Sequence, residues 1–201
     1  EALSPIYDFS YHSDKNTLAT ALSKEKWSRK YFDELKKTHQ VHYEQGGKIT
    51  GDITINGKKT NVLMNSIRDH SFGPRDWGYI ERHIWLSGAL DDGSFFNFSL
   101  IRMPVFRHLA AGFYYFNNKY ISLNQAFPSL DGLGNDGKMP SSFNFTFKAL
   151  KNPSMNATCS VEEIFEFNMA NKYLIQEGIA NFVFNNVPGK GICEFGFRRH
   201  I

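Results

Sequence analysis

The sequence has no apolar run near the roughly 18 residues that a membrane-spanning helix needs, so the chain is expected to be soluble. It also lacks concentrated charge: 23 Lys and Arg against 20 Asp and Glu leave a formal net charge of +3. That charge is too dispersed for a nucleic-acid surface, and the one tight basic pair, Arg198-Arg199, lies at the very end. No linker-like stretch divides the chain, which points to a single domain over residues 1–201. No Ser-His-Asp arrangement or nucleotide loop stands out. His39 and His42 face opposite sides of a strand and make a poor metal pair. The run Asp131 to Gly137 offers oxygen ligands but lacks the closing Glu and the spacing of a calcium loop, and Gly132-Leu133-Gly134 is too little for a phosphate loop. Neither a metal nor a cofactor is expected, apart from a bound apolar small molecule.

Cysteine is scarce, with 2 in the chain. Cys159 and Cys193 fall on two late strand segments, and a disulfide between them would close a loop of about 34 residues, worth roughly 3 to 4 kcal/mol. Three glycosylation triplets begin at Asn97, Asn144 and Asn156. Together these features point to a secreted glycoprotein, the alternative being two buried free thiols in a cytosolic domain. A chain that opens at Glu1 and carries no leader reads as a mature product or as a boundary within a longer one.

Aromatics are abundant instead, with 19 Phe and 9 Tyr, which suit strands and the lining of an apolar pocket. Ile6 to Tyr11 alternates as a short strand. Ser23 reads as an N-cap before a helix over Lys24 to Lys37, with Trp27, Tyr31 and Leu35 on one face. From His39 the period is two. Lys48 to Ile55 meets Lys59 to Met64 across Asn56-Gly57, a strong hairpin signal. Tyr79 to Leu86 is a strand with Tyr79, Glu81, His83 and Trp85 on one face, and Ser94 to Arg102 follows it. Leu109 to Leu123 forms another hairpin. Pro128 to Pro140 is the longest loop, and four more strands follow. The expected architecture is all-β, an antiparallel barrel of about ten strands with one substantial helix and with alternate residues lining its interior.

Ionisable groups are densest in Arg68-Asp69-His70-Ser71-Phe72-Gly73-Pro74-Arg75-Asp76-Trp77. Adjacent Arg and Asp on a strand point to opposite faces, so each seeks a partner elsewhere, either in a structural ion-pair knot or in a polar ligand site. This run resembles the RDHSxGxRDW signature of a lipocalin-like domain related to the carotenoid hydratase and hydroxyneurosporene synthase group. A similar domain accompanies the phosphoenolpyruvate-synthase-like proteins of animals. Tyr43-Glu44-Gln45, the Gly51 to Gly57 hairpin, Asp92-Gly93 and Met103-Pro104 fit the same pattern over the middle half of the chain. The resemblance implies a double β-barrel or sandwich around an apolar cavity and does not settle catalysis.

Two functions follow as expectations. One is a secreted protein that binds a hydrophobic small molecule (a carotenoid, pigment, retinoid or lipid) through Arg68, His70, Arg75, Trp77, Tyr79, His83 and Trp85. The other is an enzyme that moves a proton on an apolar or polyene substrate, in hydration, isomerisation or cyclisation, with Asp69, Asp76 or Glu81 as the acid.

Overall fold

The computed structural model describes residues 7–8, 29, 41–104, 107–149 and 152–199. The helix expected over Lys24 to Lys37 lies, apart from Arg29, outside the described residues. The described chain is all-β. Three strands, β1 (Tyr7–Asp8), β2 (Val41–Ile55) and β3 (Lys58–Phe72), form a small sheet. The remaining nine are β4 (Arg82–Leu90), β5 (Phe95–Arg102), β6 (Leu109–Phe116), β7 (Lys119–Leu123), β8 (Gln125–Phe127), β9 (Ser142–Ala149), β10 (Asn152–Met169), β11 (Tyr173–Phe184) and β12 (Val187–Arg198). They pair antiparallel in the order β7-β6-β5-β4-β12-β11-β10-β9-β8. The two ends of that order, β7 and β8, are separated in sequence by Asn124 alone, so the sheet curls back on itself into a nearly closed barrel.

Side-chain alternation divides the barrel wall sharply. Ile84, Leu86, Phe96, Phe98, Phe145, Phe147, Phe182, Phe184 and Phe195 point inward and are almost completely buried. Their rings meet across the interior: Phe96 packs on Phe182 and Phe184 with centroids 5.0 and 4.7 Å away, and Phe98 packs on Phe147 at 4.7 Å. The barrel is therefore filled by its own phenylalanines, which corrects the expectation of an interior lined for a ligand. A pocket of about 320 Å³ remains at one end, beside Tyr114, Ile121, Met155 and Val187. The loop 128–140 folds back on the wall: Leu130 and Met139 are buried, Asp131 pairs with Arg102, and Asn135 accepts a bond from Arg82 at 2.7 Å.

Cys159 and Cys193 are free, buried thiols, so the expected disulfide is absent. They sit on β10 and β12 with β11 between them, opposite Phe182 and Gly178 respectively. Cys193 and then burial push the Cys159 thiol up, so it stays protonated and unreactive. Of the three triplet asparagines, Asn97 is completely buried and closed to glycosylation in the folded chain. Asn144 and Asn156 are exposed and stand opposite Thr158 and Thr146 across β9 and β10, so both triplets are also ladder pairs.

Thiol labelling of the unfolded, unreduced protein should count two reactive cysteines; a count of none would restore the disulfide. Phe98→Ala, which empties the centre of the ring stack, should cost about 3 to 5 kcal/mol in chemical denaturation.

Candidate functional site

The site is built where the hairpin of β2 and β3 crosses the outer wall of the barrel. The register pairs Glu44 with Asp69, His42 with Ser71 and Gly46 with Ile67, so these six side-chain positions share the face turned towards β4 and β5. Gly46 makes the approach possible: a Cβ there would stand 2.6 Å from the ring of Phe95. Glu44 is fully buried, and its Oε1 accepts the indole N–H of Trp85 at 3.0 Å. His42 Nε2 lies 3.4 Å from that oxygen and 3.1 Å from Asp69 Oδ1. Burial pulls the His42 imidazole down, but Asp69 and Glu44 outweigh it and raise it to about 9. Burial pushes the Glu44 carboxyl up, against the opposing pull of His42 and Trp85.

A second polar group stands on the barrel wall itself. On β12 and β11, Glu194 and Tyr173 approach His83 of β4 from its two sides. Tyr173 is completely buried, and burial followed by the charge of Glu194 pushes its hydroxyl up, so it keeps its proton. That hydroxyl lies 2.7 Å from His83 Nδ1, and His83 Nε2 meets the Glu194 carboxylate, so one imidazole bridges the two groups. Gly196 leaves room for this close approach, since a Cβ there would lie 2.2 Å from the imidazole and 2.4 Å from the Tyr173 oxygen.

Between hairpin and wall lies a cavity of about 410 Å³. Trp77, Trp85, Ile67, Ile101, Met103 and Ile192 supply apolar surface, and His42, Asp69, Arg75, His83, Glu177 and Glu194 supply charge and proton-transfer groups. Burial and then Glu194 push the Glu177 carboxyl up. A cavity with an aromatic and aliphatic part and a Tyr-His-Glu relay in its wall can bind a small hydrophobic molecule and move a proton on it.

Among the residues singled out from the sequence, Asp69, Arg75, Trp77, His83 and Trp85 converge on this cavity. Arg75 lies over the Trp77 ring at 4.8 Å. Arg68 and His70 point the other way: Arg68 bonds the Tyr43 hydroxyl at 3.1 Å, and His70 stacks on the Tyr43 ring. Glu81 and Tyr79 are half-buried and do not line the cavity. Asp76 is exposed and caps the Gly78 amide at 2.8 Å. The motif is thus no Arg-Asp knot, because its two carboxylates take a histidine and a backbone amide. Glu44, Tyr173 and Glu194 were missed. The available signal was the i, i+2 pair His42 and Glu44 on one strand face, followed by a hairpin register that sets Asp69 opposite Glu44.

A family model described as Domain of unknown function (DUF7064) matches residues 1–199. No curated protein matches the chain. Two solved structures share its fold. A protein assigned as AttH from Nitrosomonas europaea is 14% identical with a TM-score of 0.55, over 78% of this chain and 52% of its own. Kievitone hydratase from Nectria haematococca is 16% identical with a TM-score of 0.51, over 78% of this chain and 53% of its own. The chain therefore spans about half the length of these two structures.

Because Asp76 faces solvent and makes one exposed cap, Asp76→Asn should melt within about 0.5 kcal/mol of the parent. A loss of several kcal/mol in the same melt would reinstate a buried ion pair.

Proposed function

We propose that this chain, a member of the DUF7064 family, binds a small unsaturated apolar molecule beneath the β2–β3 hairpin and moves a proton on it, with addition of water as the reaction. The observation that carries this reading is the Tyr173–His83–Glu194 relay in the wall of a cavity whose other lining mixes aromatic and aliphatic side chains with charged ones. The likeness to a hydratase fold supports the reaction class, as does the resemblance of the Arg68 to Trp77 run to the carotenoid hydratase group.

In the reaction, Glu194 in its acid form delivers a proton to one carbon of the double bond. Water then adds to the other carbon, and Glu194 recovers the proton that this water gives up. His83 lies against Glu194 and exchanges this proton with it, while the Tyr173 hydroxyl bonds the other ring nitrogen and fixes the orientation of the imidazole. Trp85 lines the same space and stabilises positive charge developing on carbon. A prenyl group or the end of a polyene suits these walls.

A second reading, a container that binds such a molecule without changing it, rests on the same apolar lining. The exposed Asn144 and Asn156 support secretion, whereas the reduced cysteines do not.

The test is incubation with prenylated phenols and short polyenes in ¹⁸O-labelled water, followed by mass spectrometry. The expected product gains one labelled water. Glu194→Gln should lower that rate by about 100-fold or more while leaving substrate affinity intact. Binding by the parent with no label incorporated from any candidate would overturn the reaction and leave the container.

A further inference from the structure

The cluster His42, Glu44 and Asp69 is built unlike the relay on the opposite wall. Its three ligand atoms come from one hairpin face and all lie within 4.8 Å of one another. His42 Nε2 lies 3.1 Å from Asp69 Oδ1 and 3.4 Å from Glu44 Oε1, close to the roughly 3.3 Å edge between neighbouring ligands on a tetrahedral zinc about 2.0–2.1 Å from each. A second observation points to a missing partner. Glu44 is completely buried and turns its carboxylate into the cluster; Oε1 is taken up by Trp85, while Oε2 has no hydrogen-bond partner. An orphan carboxylate oxygen so deep destabilises the fold unless a cation or donor meets it.

We propose that His42, Glu44 and Asp69 form a site for a divalent cation of the zinc class, with one imidazole nitrogen and two carboxylates as ligands. An imidazole and two carboxylates suit a borderline dication better than magnesium or calcium, which prefer all-oxygen shells. The Trp85 N–H bond orients Glu44 from the far side, as outer-shell donors do at metal sites. His42 and Asp69 line the cavity, so the fourth position opens onto the space where the small molecule binds. Three protein ligands and one open position is the pattern of a metal that meets substrate or water rather than one that only braces the fold. Two further carboxylates in the cavity, Glu177 and Glu194, give the approach a negative potential. The site does not depend on the hydration reading, because none of its ligands belongs to the Tyr173–His83–Glu194 relay.

The test is equilibrium dialysis and calorimetry of the whole chain, stripped with chelator, against zinc chloride alone, with cobalt substitution to read the ligand field. The expected result is one zinc per chain, an intense tetrahedral cobalt band, and a weaker affinity for manganese. Glu44→Gln and Asp69→Asn should each weaken zinc at least about tenfold, with circular dichroism confirming that both variants are folded. Asp69 is partly exposed, so its variant keeps the test open should the buried Glu44 change unfold the hairpin. Glu194→Gln should bind zinc like the parent, whatever it does to turnover. No stoichiometric uptake, or uptake that survives both ligand substitutions, would overturn the proposal.

Discussion

The bond from the Trp85 indole to the buried Glu44 carboxylate is the interaction on which the site depends. It joins two sheets that otherwise touch along a narrow seam, with Gly46 seated on Phe95 on one side and Ile67 against the same cluster. A single hydrogen bond to a charged group contributes about 1.5–3 kcal/mol, enough to fix where the hairpin lies on the wall. The cavity exists because the hairpin lies there. His42 and Asp69 come from the hairpin side, while His83, Trp85 and Glu194 come from the barrel side.

The filled interior explains why the chemistry is outside. Phe143, Phe145 and Phe147 of β9 face inward with Phe96 and Phe98 of β5 and Phe182 and Phe184 of β11, and rings of that size reach each other across a small barrel. Such a barrel serves as a rigid wall. Its outer face on β4 and β12 carries the polar side chains, because alternate positions that do not enter the ring stack are free to hold histidine and glutamate. The constraint runs in both directions: Gly196 stays small so that His83 and Tyr173 can lie flat against one another, with centroids 5.6 Å apart.

Much of the framework was legible in the sequence. The period-two runs marked β2 to β6, and Asn56-Gly57 marked the hairpin tip. Placing His83 and Trp85 on one face also holds. What could not be read was which side of the wall that face occupies, since alternation defines two faces and not their environments. The same limit hid Glu44, an ordinary strand glutamate until the register puts Asp69 opposite it and Trp85 beneath it. The Arg68 to Trp77 run misled in a specific way. Its charges split between a cavity face, an outward face and a turn, so a dense motif supplies Asp69, Arg75 and Trp77 to the cavity but no ion-pair core. Cysteine spacing along the chain likewise gave no view of β11 lying between Cys159 and Cys193.

The proposed ligand space lies between the hairpin and the outer wall of a nearly closed, ring-filled barrel. It is tested most directly by a methyl and indole NMR titration with a prenyl alcohol. The account predicts shifts at the indoles of Trp77 and Trp85 and at the methyls of Ile67, Ile101 and Ile192, with Leu86, Leu90 and Leu100 inside the barrel unmoved. Shifts concentrated on the interior leucines, with the two indoles unchanged, would contradict it.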